Sequence, residues 1–146
     1  MADALRQAHN AAFLDHPDFT PFSEARWTQT VTESRSFRPN LCFVVWPEHS
    51  DEIVAYVHTA EFEGDLIATG RRQACVGKLG TLRGHRGKGL ATALLGRALH
   101  AYREAGYDEA SLSVDSANPT GALGVYRGLG FAVESRWTNY VMTVDA

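Results

Sequence analysis

The apolar residues of the N-terminal segment recur at the spacing of a helix. Residues 2–14 place alanine, leucine and phenylalanine three or four positions apart, which predicts a first helix, and the two prolines of the following "HPDFTPF" predict a loop. Trp27 and Val31 continue the helical spacing after Ser23, a weak N-cap, so a second short helix is expected before Pro39. The chain is therefore expected to begin with two helices.

The spacing then changes to that of strands. "LCFVVW" at 41–46 and "IVAYVHTA" at 53–60 flank the polar turn "PEHSDE", which predicts an antiparallel hairpin. The segment "GDLIATG" at 64–70 is interpreted as a loop or a strand edge. "QACVGKLGTL" at 73–82 predicts a third strand.

The second half of the chain alternates helix and strand. Apolar residues recur from Leu90 until Gly106, which suits a helix C-terminus, and "EASLSVD" at 109–115 predicts another strand. "NPTGALGVYRGLGF" predicts a helix stopped by Gly128 and Gly130, and "FAVESRW" and "YVMTV" predict two closing strands. The order α, α, β, β, β, α, β, α, β, β indicates an α+β fold around a mixed sheet.

Composition narrows the class of protein. A length of 146 residues with 45% hydrophobic residues suits a single domain spanning 1–146. The 14 basic and 17 acidic side chains give a net charge of -3, which leaves no broad cationic surface for nucleic acid or for a membrane. Cys42 and Cys75 stand without metal-type spacing and are interpreted as reduced core residues, and no apolar run has the length of a membrane span. A cytoplasmic protein is expected.

A glycine-rich turn, "RGHRGKGLATALL" at 83–95, joins the third strand to the helix after it. Because a helix N-terminus offers unpaired N–H groups, such a turn can bind a phosphate through its backbone, and Arg86 and Lys88 would add charge at the rim. A magnesium-binding P-loop fits poorly because Lys88 is followed by Gly89, and a dinucleotide fingerprint fits poorly because Thr92 stands where a glycine is required. A plain tight turn with a solvated basic loop also remains open.

Two motifs carry a resemblance to a known family. Arg86, Gly89 and Ala91 form the pattern R-x-x-G-x-A between strand and helix, and "NPTGALGVYRGLGF" follows with Ala122 and Tyr126. The sequence thus resembles the GNAT superfamily of acyl-CoA-dependent N-acetyltransferases. "LGTLRGHRGKGLA" and "LSVDSANPTGALGVYRGLGF" are most similar to the tandem-domain branch that includes mycothiol synthase.

The resemblance implies acetyl-CoA as co-substrate, with no metal. It implies a mostly antiparallel sheet that splays into a V between the strands near 73–82 and 109–115, with helices on both faces. Gly77 and Gly80 within the first of these strands suit a β-bulge or a close approach. The positions expected to bind the cofactor are Leu79, Gly80, Thr81, Arg86, Gly87, Lys88, Gly89, Leu90, Ala91, Thr92, Asn118 and Tyr126.

The resemblance also implies an activity: transfer of an acetyl group from acetyl-CoA to a primary amine of a small molecule or peptide, by direct attack in a ternary complex. Tyr126 matches the tyrosine that protonates the departing thiolate. The glutamate that serves many relatives as base is missing, so Asp115 and Glu61 are the candidate bases, and water with backbone carbonyls is the third option. The missing acid keeps an alternative open, a CoA-binding domain with weak or no catalysis and a regulatory or structural role.

Acceptor binding is expected from the first helices and their loop. Phe19, Phe22 and Trp27 are candidates for an apolar wall. The acidic residues that would attract a cationic amine are Asp15, Asp18 and Glu24. The strand that usually opens the GNAT fold has no counterpart here, which predicts either an exposed sheet edge suited to homodimer pairing or a domain that belongs to a longer, tandem protein.

Overall fold

A single sheet organises the structure, a computed structural model that describes residues 2–14, 16, 19–113, 122–132, 142 and 144. Its strands are β1 (Phe43–Val45), β2 (Ala55–Ala60), β3 (Gln73–Thr81) and β4 (Glu109–Leu112). They lie side by side in the order β1-β2-β3-β4, with the first two pairs antiparallel and the β3–β4 pair parallel. The predicted mixed, mostly antiparallel α+β sheet is confirmed. The two predicted closing strands fall almost wholly outside the described residues.

Helices surround this sheet. They are α1 (Ala2–Ala12), α2 (Glu24–Trp27), α3 (Glu63–Thr69), α4 (Leu90–Glu104) and α5 (Ala122–Gly128). A π-helical turn at Thr28–Thr32 continues α2, and short 3-10 turns lie at Pro39–Leu41 and Arg83–His85. The predicted N-cap of α2 is confirmed, because the Ser23 hydroxyl accepts a hydrogen bond from the Arg26 N–H at 3.2 Å.

The interpretation of residues 64–70 as a loop or strand edge is wrong. This segment lies in α3, which buries none of its side chains and leaves Ile67 84% exposed. A helix without a buried face gives no apolar stripe to read. The signals that mark α3 are instead the acidic first turn and Gly70, which ends the helix in the left-handed conformation at φ 73°.

The sheet packs a separate core on each face, as expected for helices on both sides. Successive residues of a strand point to opposite faces, so Val57 faces α4 and the neighbouring Tyr56 faces α1 and α2. The buried residues on the α4 side are Ala55, Val57, Ala74, Val76, Leu94, Leu95, Ala98 and Tyr102. Those on the other side are Leu5, Ala8, Ala12, Trp27, Val31, Ile53 and Tyr56.

The sheet opens between β3 and β4. Their pairing ends where Val76 lies beside Leu112, yet β3 continues to Thr81. The expected V-shaped splay is therefore present. The predicted bulge is also confirmed, because the β2–β3 register passes from Lys78 to Val76 and leaves Gly77 without a partner across the ladder.

Candidate active site

A pocket of about 740 Å³ lies in the opening of the V. One wall is β3 from Val76 to Thr81, and the opposite wall includes Leu112, Ser113 and Tyr126. The glycine turn and the start of α4 line one end, while the last turn of α1 and the loop before α2 cover the top. The pocket therefore brings together the two motifs on which the family resemblance rests.

The glycine turn holds its shape through two left-handed residues. Gly87 has φ 79° and Gly89 has φ 78°, a region that strains any residue with a side chain. A Cβ built on either glycine meets nothing within 4 Å, so the requirement for glycine is conformational rather than steric. Gly89 immediately precedes α4 and shares the pocket lining with Leu90 to Thr92, whose N–H groups belong to the unpaired first turn. This end of the pocket is suited to bind an anion through backbone N–H groups.

Arg86 and Lys88 were expected to add two positive charges at the rim of the glycine turn, and the structure gives them different roles. The Arg86 guanidinium donates hydrogen bonds to the carbonyls of Thr81 at 3.1 Å and Ala12 at 2.8 Å. Arg86 therefore ties the end of β3 to the end of α1 while still lining the pocket. Lys88 is exposed and does not line the pocket.

Two glycines of β3 allow side chains from β2 to lie close against the strand. A Cβ on Gly77 would lie 2.6 Å from His58 Nδ1, and a Cβ on Gly80 would lie 2.5 Å from the Tyr56 hydroxyl. Neither distance is tolerable for a real carbon atom, so the predicted close approach is confirmed at both positions.

A histidine that the sequence analysis missed lies at the top of the pocket. His9 is buried, lines the pocket and shares a short hydrogen bond between its Nδ1 and the Tyr56 hydroxyl. Burial, with Lys78 adding to it, lowers the His9 pKa to about 3, so the ring is neutral at physiological pH. Only its place among the apolar positions of α1 marks it in the sequence.

Tyr126 reaches the pocket from α5. Its ring lies 6.3 Å from that of Phe131 in an edge-on arrangement. Burial raises the pKa of the Tyr126 phenol above its usual value, so the hydroxyl stays protonated and can donate a proton or a hydrogen bond.

The candidate bases are not brought to the pocket together. Glu61 does not line it: its carboxylate accepts hydrogen bonds from Arg72 Nε at 2.8 Å, Tyr107 Oη at 2.7 Å and Arg38 Nε at 3.2 Å. The bond from Arg72, with those from Tyr107 and Arg38, lowers the Glu61 pKa to about 2, which makes this carboxylate a weak proton acceptor. Asp115, like the cofactor candidate Asn118, lies outside the described residues.

The acceptor-side candidates divide between pocket and core. Phe19 and Phe22 line the pocket, as expected. Trp27 is only 2% exposed and packs in the core instead. Glu24 does not line the pocket and lies 3.8 Å from Arg6, while Asp15 and Asp18 lie outside the described residues.

The described residues hold neither a metal-type cluster nor a membrane-spanning helix. No group of three or more histidine, cysteine or acidic side chains could hold a metal ion there. No helix within the same residues has the length and apolar character needed to cross a membrane. Both thiols are free and half-buried, and burial raises the pKa of Cys42 and of Cys75.

A family model matches most of this chain, and a curated relative matches it over part of that relative's length. The model of the acetyltransferase (GNAT) family matches residues 2–131. The N-alpha-acetyltransferase MAK3 of Arabidopsis thaliana is 32% identical over 104 residues, which make up 71% of this chain and 51% of that protein. The chain thus matches about half the length of this relative.

Solved structures resemble the chain over nearly its full length. A transcriptional regulator from Bacillus halodurans C-125 has a TM-score of 0.74 at 18% identity, over 97% of this chain and 95% of the other. The aminoglycoside acetyltransferase meta-AAC0020 from an uncultured soil metagenomic sample, in complex with sisomicin, has a TM-score of 0.71 at 18% identity, over 98% and 88% of the two chains. At these identities the two structures share a fold with this chain.

Proposed function

The chain belongs to the acetyltransferase (GNAT) family, and from that premise we propose that it transfers an acetyl group from acetyl-CoA to a primary amine of a small molecule or a peptide. The observation that carries the proposal is the left-handed glycine turn at the start of α4, which opens directly into the V between β3 and β4. A backbone anion site and an open strand edge in one pocket match the two chemically different parts of CoA, a pyrophosphate and an extended arm.

The residues of the pocket fit this cofactor. The N–H groups from Gly87 to Thr92 would bind the pyrophosphate, with Lys88 as an exposed and dispensable charge. Leu79, Gly80 and Thr81 lie on the stretch of β3 beyond its pairing with β4, where no strand of the described residues pairs with them and an extended segment could be added. Bound there, CoA would supply the acetyl group as a thioester.

The reaction asks for few side chains. The neutral amine attacks the thioester carbonyl, a C–N bond forms, the C–S bond breaks, and one proton leaves the nitrogen while the thiolate gains one. We assign proton donation to the protonated Tyr126 phenol, which lines the pocket. Gly77, left unpaired by the bulge and also lining the pocket, is our candidate donor of an N–H to the developing oxyanion.

Asp115 and a water relay are our candidates for accepting the proton of the amine. Asp115 keeps its candidacy from its sequence position alone, at the end of the predicted strand 109–115. Glu61 is dropped because its carboxylate is engaged by two arginines and a tyrosine outside the pocket. A relay through water and backbone carbonyls needs no further side chain.

A second function is favoured by one observation: the described lining of the pocket contains no carboxylate. A domain that binds CoA but turns it over weakly, in a regulatory or structural role, would need none. A panel of amines assayed with acetyl-CoA by release of free thiol separates the two functions. Thiol release that depends on the amine supports the transferase, and CoA binding without turnover on any amine supports the second function.

A thermal-shift comparison tests the cofactor itself. We expect CoA and acetyl-CoA to raise the melting temperature and NAD to leave it unchanged, because a ligand that binds only the folded state stabilises it. A shift with NAD alone would contradict the proposal and revive the dinucleotide interpretation of the glycine turn.

We also propose a relation to the tandem-domain branch, which the residues of the two motifs support. In that case residues 1–146 would form one of two GNAT domains, associated with a second domain or a second copy. The natural gene's upstream reading frame and the mass of the full-length product in solution test this directly.

A further inference from the structure

Lys78 is a charged residue of the pocket that pairs with no acidic side chain among the described residues. It lies on β3 directly after the bulge, lines the pocket and is half-buried. Among the described residues no ion pair or hydrogen bond reaches its ammonium group. Its contacts are aromatic: Nζ lies 5.7 Å from the ring centroid of Phe22 and 5.9 Å from that of Trp27.

A second cation shares the same aromatic ring. The Arg26 guanidinium lies 4.2 Å from the centroid of Phe22, at the exposed rim of the pocket, and donates to the Thr20 carbonyl at 3.5 Å. Burial and the charge of Arg26 both lower the Lys78 pKa. Two like charges are thus held at one end of a pocket whose described lining contains no acidic side chain.

This arrangement is unfavourable in the absence of a ligand. A partly desolvated cation destabilises the folded state unless a partner compensates it, and cation–π contacts at nearly 6 Å compensate only in part. A bound anion would relieve both the desolvation of Lys78 and its repulsion by Arg26. Uncompensated charges of this kind concentrate at binding sites.

The position of Lys78 separates it from the phosphate cradle. It precedes Thr81 by three strand residues, about 10 Å along β3, and the glycine turn follows beyond that end. Lys78 also faces α2 and the loop before it, since its aromatic contacts come from Phe22 and Trp27. The anion it would pair with therefore belongs to the acceptor side of the pocket rather than to the pyrophosphate.

We infer that Lys78 and Arg26 form an anion-binding subsite for the acceptor, so the acceptor is an amine that also carries a carboxylate or a phosphate. The inference rests on the proposed function. It reverses the expectation from the sequence, in which acidic residues of the first loop attract a cationic amine. The anionic group would dock against Lys78 and leave the amine to approach the thioester near the bulge.

The test compares amines that differ only in the anionic group. We use β-alanine against β-alaninamide for the carboxylate, and O-phosphoethanolamine against ethanolamine for the phosphate, with kcat/KM measured for each. Wild type is expected to prefer the anionic member of at least one pair by tenfold or more. Lys78→Gln should reduce that preference about tenfold through KM, with a smaller reduction in Arg26→Gln at the exposed rim.

The matched control is Arg103→Gln, which removes one positive charge from an exposed residue in the last turn of α4. It should leave the preference unchanged. Wild type preferring neutral amines or cationic diamines would overturn the inference. So would Lys78→Gln lowering kcat equally for both members of a pair with loss of a limb of the pH–rate profile, which would make Lys78 a base. A weaker affinity of Lys78→Gln for CoA itself would assign the charge to the cofactor.

Failure of the proposed function is distinguishable from failure of this inference. If no amine is turned over, calorimetric titration of N-acetyl-β-alanine and of N-acetyl-β-alaninamide into the CoA-saturated protein still measures the subsite. Tighter binding of the acid, lost in Lys78→Gln, supports the inference without catalysis. Equal binding of the acid and the amide overturns it.

Discussion

Glu61 and Lys78 are both partly buried charges near β3, and the structure treats them in opposite ways. Glu61, with its side chain 14% exposed, is paired with Arg38 and Arg72 and hydrogen-bonded by Tyr107 outside the pocket. Lys78 lines the pocket with only aromatic rings beside its ammonium group among the described residues. The first charge is satisfied by the protein itself, and the second is left for something else to satisfy.

The difference separates a structural charge from a functional one. A carboxylate that accepts hydrogen bonds from several donors binds a proton only at low pH, which is why Glu61 is a weak candidate for a base. A cation without a partner keeps its capacity to bind. Both residues are equally conspicuous as isolated charges in the sequence, and only their neighbours distinguish them.

The largest expected effect is a pH dependence of the free energy of unfolding, in which two buried histidines and Glu61 act over different pH ranges. Burial lowers the pKa of His9 from 6.5 to about 3 and that of His58 to about 4, whereas hydrogen bonding from Arg72 lowers that of Glu61 from 4.5 to about 2. All three groups bind protons more readily when unfolded, so the stability they confer is present at high pH and is lost as pH falls. The histidines act from pH 6.5 downward, and Glu61 only below 4.5. Urea unfolding across this range should show a fall of several kcal/mol in the free energy of unfolding.

The variant Glu61→Gln measures what Glu61 contributes to the loss of stability below pH 4.5. It should remove the part of the loss below pH 4.5 that comes from Glu61, and leave both the histidine part below pH 4.5 and the loss between 6.5 and 4.5 unchanged. A wild-type stability that is flat between pH 6.5 and 4.5 would contradict the neutral, buried state of the two histidines.

Removing the Glu61 carboxylate is expected to have the next largest effect on the free energy of unfolding. Glu61→Ala leaves the two guanidinium groups and the Tyr107 hydroxyl without their shared acceptor, and we expect a loss of about 2 kcal/mol in the free energy of unfolding at pH 7. Glu33→Ala, which removes an exposed carboxylate, is the control and should change stability by less than about 0.5 kcal/mol. Turnover per folded molecule should persist in Glu61→Ala; its loss, with CoA binding intact, would restore Glu61 as a base.

At Lys78 we expect a smaller change in the free energy of unfolding, and one of opposite sign. Lys78→Met keeps an unbranched, flexible side chain one atom shorter and removes the unpaired charge beneath Phe22 and Trp27, so the free energy of unfolding should rise by up to about 1 kcal/mol. Chemical denaturation at pH 7 measures it. A destabilisation of more than 1 kcal/mol would mean that the ammonium group stabilises the fold and would erase the contrast with Glu61.

Features that depend on backbone conformation could be predicted from the sequence. Gly77 and Gly80 inside a strand predicted a bulge or a close approach there, and the glycines at 87–89 predicted a tight turn before a helix. A missing side chain is a local signal, because its main consequences for φ and for contact distance are local.

Features that depend on distant partners could not be predicted. Arg86 was expected to be a rim charge, but its guanidinium bonds the carbonyl of Ala12, 74 residues away in the chain. The surroundings of Lys78 depend on α2 lying over β3, which no local pattern specifies. The helix α3 was missed because it buries no face, and periodicity detects only faces that are buried.

We propose that the backbone of the glycine turn binds CoA, and calorimetric titration of CoA into wild type and two variants checks this. Gly89→Val should lower the affinity about 100-fold or more, because a β-branched residue resists the φ of 78° that orients the start of α4. Lys88→Ala should lower it less than about fivefold relative to wild type, because the side chain is exposed. A cooperative melting transition well above the titration temperature in both variants establishes that they are folded. Loss of CoA binding in Lys88→Ala together with retention in Gly89→Val would contradict the account.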